Sequence, residues 1–292
     1  MRLVCPTAFK GTLSPAEAAR LLMEPGDLLL PLSDGGDGFL DCIHADLGGT
    51  FRTFPAADPF GRVREVPVLE LPDGTVVVES AKVIGMAGLD RLDPFIASSK
   101  GLGDLLVQLQ GAPRLWIGLG GTATMDGGAE WPALKLPPTV AFCDVEADLL
   151  EAPRLFGPQK GAQLPDIPIL VDRLRALGLP RGPHTGAAGG LGAKLKSLGA
   201  RLVDGAEELM RLVHFDEACH DAEAVITGEG QLDATTLRGK LPWRVAGRAH
   251  VHGLPVIGHF GGYGPGWEAA AEAFDELHFG DPRHEERLLP MI

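Results

Sequence analysis

The sequence contains no C-x-x-C pair. Cys5, Cys42, Cys143 and Cys219 are scattered and show no zinc spacing with the nine histidines. A disulfide framework and a structural zinc site are therefore not expected, and a reducing compartment fits. No uninterrupted apolar run approaches the ~20 residues that span a bilayer, so no membrane helix is expected. The opening MRLVCP lacks the charged and apolar regions of a signal peptide, which leads to the expectation of a cytoplasmic protein. Basic charge is scarce: 26 Lys and Arg against 39 Asp and Glu give a net charge of −13, and there is no long basic stretch. Binding a polyanion needs clustered cations, so no nucleic-acid surface is expected, whereas a small anion needs only a few local ones.

Familiar catalytic signatures are missing as well. There is no G-x-x-x-x-G-K-[ST] loop, no H-R-D or D-F-G set, no G-x-S-x-G elbow and no G-x-G-x-x-G fingerprint. Internal repeats and low-complexity tracts are also absent. A phosphotransferase built from this chain would belong to none of the P-loop or protein-kinase types.

What is abundant is glycine, 40 of 292 residues, about twice the ordinary usage of about 7%. Apolar residues make up 45% and charged residues 22%, enough for a substantial core. The length suits about two domains.

Strand and helix signals alternate at both ends of the chain. Arg2 to Pro6 is a short apolar run, followed by Ser14-Pro15-Ala16-Glu17, with Ser as N-cap, Pro at the first helical position and Glu to close a capping box. Asp27 to Leu32 repeats the strand signal and Phe39 to Leu47 the helical one. Glu223 to Thr227, Pro255 to Phe260 and Glu276 to Phe279 read as buried strands, with a helical stretch over Leu237 to His252. Between the ends lie β-branched segments, an Asp73-Gly74 hairpin turn, the strand Arg114 to Leu119 and a proline-rich stretch. We therefore expect an α/β protein. A Rossmann-like, doubly wound parallel-sheet domain is formed by residues 1–50 and 195–292, with a second α/β domain, 51–194, inserted.

The strands end in glycine-rich loops that carry hydroxyls, carboxylates or lysines, where α/β enzymes place ligands. In Phe9-Lys10-Gly11-Thr12-Leu13-Ser14 a lysine and hydroxyls precede a helix N-terminus, either an anion site or a capped surface helix. Ser33 to Gly38 holds Asp34 and Asp37 among glycines, either a hard-cation site or an Asx turn. Gly118 to Gly128, GLGGTATMDGG, offers backbone amides, Thr122, Thr124 and Asp126. Gly186 to Gly192, GAAGGLG, is compatible with a site or with close helix packing. Ile226 to Asp233 adds Glu229 and Asp233, suited to proton transfer or metal positioning.

In order along the chain, PTAFKGTLSPAEAA, LPLSDGGDG, DPFGR, ESAKVIGMAGL, SSKGLGDLL, IGLGGTATMDGGA, FCDV, FGPQKGA, TGAAGGLG and ITGEGQLDATTLRGK resemble the bacterial type of the glycerate kinase family, over about Pro6 to Lys240. The resemblance implies transfer of the γ-phosphoryl group of ATP, with Mg²⁺, to a hydroxyl of glycerate in a cleft between the two domains, giving 2-phosphoglycerate or 3-phosphoglycerate, the former favoured. It implies Asp34, Asp126, Asp144, Asp233 and Lys10 as catalytic residues, the acids being candidates both for the base and for metal binding, with Asp34 and Asp144 put forward as Mg²⁺ ligands. Gly120, Gly121, Thr122, Thr124 and Glu229 are expected on the nucleotide and its phosphates, and Arg62, Lys160 and Ser14 on the substrate. The implied partners are glycerate and ATP, with no nucleic acid and no membrane, and a homodimer is left open. The chain departs from the family pattern at Thr7-Ala8, where Asp-Ser is usual, at Met125, where Asn is usual, and at Ala147-Asp148, where Asn-Pro is usual. It is also shorter between Lys160 and Gly186. Those departures keep two alternatives in view, a kinase for another small hydroxy acid and a non-catalytic ligand-binding homologue.

Overall fold

The computed structural model describes residues 1–9, 12–238 and 240–283. Lys10 thus lies outside the described residues. The strands, in chain order, are β1 (Arg2–Val4), β2 (Leu28–Leu29), β3 (Thr50–Ala57), β4 (Val63–Glu70), β5 (Thr75–Glu79), β6 (Arg114–Leu119), β7 (Thr139–Cys143), β8 (Arg201–Asp204), β9 (Ala224–Glu229), β10 (Val256–Phe260) and β11 (Glu276–Phe279). The chain divides into two compact units. One is Met1–Ser33, Asp41–Asp46 and the described residues from Ala206 on; the other is Asp34–Leu40 and Leu47–Gly205.

The first unit holds a parallel sheet in the order β2-β1-β9-β10-β11. Its central strands are short apolar runs flanked on both sides, so Leu3, Val4 and Val225 are fully buried. The helix Pro15–Leu22 starts where the sequence signals it: the Ser14 hydroxyl accepts from the Glu17 amide at 3.3 Å, and the Glu17 carboxylate accepts from the Ser14 amide at 2.8 Å. The strand order reverses between β1 and β9, where doubly wound sheets open a crevice at the strand carboxyl ends.

The second unit holds a mixed sheet, β3-β4-β5-β6-β7-β8. The β3-β4-β5 meander is antiparallel, and β5 to β8 run parallel. Its core gathers Val66, Val78, Leu102, Ile117, Leu119 and Leu191. The carboxyl ends of β5, β6, β7 and β8 therefore share one edge of the sheet.

The contacts divide the chain at other points than residues 50 and 194. β8 pairs with β7, which puts residues up to Gly205 in the second unit. Asp34–Leu40 join it because Gly35 and Gly205 let two backbones touch. A Cβ on Gly205 would stand 1.8 Å from the Asp34 carbonyl oxygen, and one on Gly35 2.3 Å from that of Phe142. Gly205→Ala is accordingly expected to lower stability by about 1–3 kcal/mol through forced backbone displacement, read from denaturant unfolding. An unchanged midpoint would mean that this approach is looser than described. Among the described residues, no helix is long and apolar enough to cross a membrane.

Candidate functional site

At the carboxyl edge of the second unit's sheet lies a pocket lined by Met86, Gly120, Gly121, Thr122, Asp144, Val145, Phe156, Gln159, Lys160, Ala188 and Gly189. Its cavity measures about 30 Å³ and opens to solvent on one side, a space for a small group and not for a whole nucleotide. Five residues expected from sequence meet here: Gly120, Gly121, Thr122, Asp144 and Lys160.

Lys160 supplies the cation. Its side chain is 3% exposed, and its ammonium donates to Thr122 Oγ1 at 3.1 Å and to the Thr124 carbonyl at 2.8 Å. Burial pulls the amine down to about 8, against the opposing pull of Asp144 and Asp126. Since an ammonium has three donors and two are engaged, one remains for an anion in the pocket.

The carboxylates stand on the loops beside it. Asp144 follows β7, and its Oδ2 would be 2.8 Å from a Cβ on Gly120. The same Cβ would be 2.6 Å from Gly36 Cα, so the 33–38 loop and the 120–124 loop lie backbone to backbone. Asp34 accepts from the Gly36 amide at 3.0 Å, the Asx turn weighed from sequence, and both Asp37 carboxylate oxygens would be 3.1 Å from a Cβ on Gly121. Only glycine permits this spacing of acids around the loop.

Two residues with no role assigned from sequence hold these loops. The Ser80 hydroxyl accepts from the Gly120 amide and donates to the Gly120 carbonyl, both at 3.3 Å. Glu79, fully buried, accepts from the amides of Gly38 at 3.2 Å and Leu40 at 3.0 Å, at the start of helix Phe39–Leu47. Their signal was the segment ESAKVIGMAGL, legible only as resemblance. Burial pushes the Glu79 carboxyl up to about 7, with Lys82 and the two amides opposing and Asp37 adding to the rise. The folded state thus holds this proton more tightly than the unfolded chain. Glu79's contribution to stability is full below about pH 4.5 and is lost as pH rises through about 7. Denaturant unfolding at pH 5 and pH 7.5 should show this decline in the native protein and a flatter dependence in Glu79→Gln. Equal slopes in the two proteins would contradict it.

Three expected site residues are engaged elsewhere. Asp126 accepts from the Ser99 amide at 2.7 Å and the Ser99 hydroxyl at 2.9 Å, just ahead of helix Lys100–Gln108, and burial pushes its carboxyl up. It does not line the pocket. Arg62 pairs with Asp58 at 2.7 Å and Asp90 at 3.6 Å and is not a lining residue either. Thr124 reaches the site through its backbone carbonyl, behind Lys160.

In the first unit, the Ser14 hydroxyl is occupied by the capping box. Glu229 ends β9 beside the strand-order reversal. Its carboxylate accepts from Thr236 Oγ1 at 3.1 Å and pairs with Lys240 at 3.3 Å, and Lys240 also pairs with Asp233 at 3.5 Å. Asp233 further accepts from the Thr235 amide at 2.8 Å.

Each departure from the family pattern has a local partner. Thr7 donates its hydroxyl to the Gly228 carbonyl at 3.2 Å. Met125 is fully buried in an apolar cluster with Leu149, Leu170 and Leu174. Its thioether is a packing element and does not line the pocket. Asp148 pairs with Arg181 and accepts from the Gly182 amide at 2.8 Å, tying down the shortened segment.

Parallel strands ending in glycine loops that carry acids and a buried lysine define an α/β enzyme for a small anionic molecule. The chain belongs to the glycerate kinase family, whose model matches residues 2–134 and 132–278. A glycerate kinase of Halalkalibacterium halodurans is 30% identical, over 92% of this chain and 87% of its own length. The glycerate 2-kinase of Escherichia coli K12 is 29% identical, over 88% of this chain and 84% of its own. The crystal structure of a putative glycerate kinase 2 from Salmonella typhimurium LT2 superposes with a TM-score of 0.72 at 27% identity, covering 95% of this chain and 89% of that one.

Proposed function

We propose that the protein transfers the γ-phosphoryl group of ATP to glycerate, with 2-phosphoglycerate as the product, and that the acceptor binds in the Lys160 pocket. The observation that carries this reading is a buried ammonium with a spare donor, set with Asp144 in the lining of one small pocket. Lys160 takes the carboxylate, and Asp144 receives the proton of the attacking hydroxyl. The Gly121 and Thr122 amides are assigned to the transferred phosphoryl oxygens, the arrangement that phosphoryl transfer requires when positioning and charge neutralisation do the chemistry.

The donor set fits Mg²⁺. Among the described residues no three His, Cys, Asp or Glu side chains gather as a complete metal site. Mg²⁺ with phosphate substrates needs only one or two carboxylates, the rest being phosphate oxygens and water. Of the two acids expected on the ion, Asp34 would supply its carboxylate, and Asp144 is kept for the proton, since a carboxylate held by Mg²⁺ is a weak base. When bound, the ion would neutralise charge on the phosphates. At the strand-order reversal of the first unit, Glu229 and Lys240 are assigned to the nucleotide. Four free, buried cysteines accord with work in the cytoplasm.

The reading is tested by phosphorus NMR of the product formed from ATP, Mg²⁺ and D-glycerate. A 2-phosphoglycerate resonance supports it; a 3-phosphoglycerate resonance corrects the hydroxyl, and phosphorylation of a different hydroxy acid alone corrects the substrate.

A further inference from the structure

Ala188 is an alanine in a conformation that suits glycine. Ala188, Gly189 and Gly190 are consecutive left-handed residues, with φ/ψ of 51/39, 68/34 and 98/0, interrupting the helical run Ala187–Ser197. Two are glycines and carry no penalty there, whereas Ala188 does, because its Cβ crowds the following carbonyl. Strain of this kind persists only where the surroundings impose it, and it concentrates at ligand sites.

Gly127 donates its amide to the Gly189 carbonyl at 3.1 Å, and a Cβ on Gly189 would stand 2.0 Å from the Thr124 carbonyl oxygen. The turn is therefore pressed onto the loop whose Thr124 carbonyl also holds Lys160. Ala188 is 7% exposed, and it lines the pocket with Lys160. The pocket thus has a cationic group to fix a carboxylate and, in Ala188, Met86, Val145 and Phe156, apolar walls to bound the carbon chain.

We propose that the Ala188 methyl, held in the pocket by the left-handed turn, is the specificity-determining group that limits the acceptor to a three-carbon hydroxy acid. This rests on the reading of the Lys160 pocket as the acceptor site. A fourth carbon, with its own hydroxyl, meets the methyl and the backbone behind it. Neither can yield, since the turn is locked against residues 124–127. Glycine at position 188 fits the same backbone without strain and leaves the space open.

The test is Ala188→Gly, with calorimetric binding of D-glycerate and its four-carbon homologue, a trihydroxy acid, to native and variant proteins. The variant should fold and melt about 2 °C higher or more, from relief of strain. The four-carbon to three-carbon affinity ratio should rise about tenfold or more, the effect of one carbon against an apolar wall. A ratio unchanged within about twofold in the folded variant overturns the proposal, as does failure of both acids to bind the native protein. Binding with the expected shift but no ADP release would leave the size limit standing and remove the kinase reading. ADP release with an unchanged ratio would do the reverse.

Discussion

Lys160→Met is expected to lower kcat/KM for glycerate roughly 30- to several-thousand-fold, the effect of about 2–5 kcal/mol for a buried charged hydrogen bond to an anionic partner. The loss should fall mainly on KM, because the ammonium holds the carboxylate before and during transfer. Methionine keeps the apolar stem in place. The charge it removes is itself unfavourable: burial lowers the amine to about 8, so the folded state pays for the ammonium at every pH below that value. This cost is relieved as pH rises from about 8 towards the ordinary 10.5. Melting temperatures should thus show a folded variant. Activity of the native enzyme should follow the opposite course, with kcat/KM for glycerate declining above about pH 8 as the anchor loses its proton. A Lys160→Met enzyme with native KM would remove the carboxylate from this pocket.

Asp144→Asn should cost about 10²–10⁴-fold in kcat, the usual worth of a positioned proton acceptor, with little change in stability. Asp126→Asn should do the reverse. Asp126 receives two bonds from Ser99 and does not line the Lys160 pocket, so weakening them should destabilise the fold by about 1–3 kcal/mol while kcat falls less than about tenfold. The pair separates two acids that are equivalent in the sequence. Equal rate losses with equal stabilities would show that the pocket does not discriminate between them.

That equivalence marks where sequence reading stops. Strand β6, Arg114–Leu119, and helix Phe39–Leu47 were legible to the residue, because a continuous apolar run and a 3.6-residue spacing are local properties. Strand β8, Arg201–Asp204, was not read from sequence, since its partner β7 is about sixty residues away in sequence and pairing is not local. Among the acids, Asp34 was legible as a loop carboxylate at a strand end, and Asp144 only through the resemblance. Whether Asp126 faced the pocket or Ser99 depended on the turn at Gly127 and Gly128, both left-handed. Glu79 was hidden differently: a carboxylate ending a buried strand carries no local sign that two amides from another loop will meet it. The GAAGGLG segment was open between packing and function, and its three left-handed residues press the turn against Thr124 with Ala188 in the pocket lining.

The most direct measurement is ADP release by the purified protein with ATP and Mg²⁺, with and without D-glycerate. Glycerate-dependent release, abolished or strongly reduced in Asp144→Asn and Lys160→Met, is the predicted result. No release above the glycerate-free rate, from a folded protein and at any pH between 6 and 8, would contradict it.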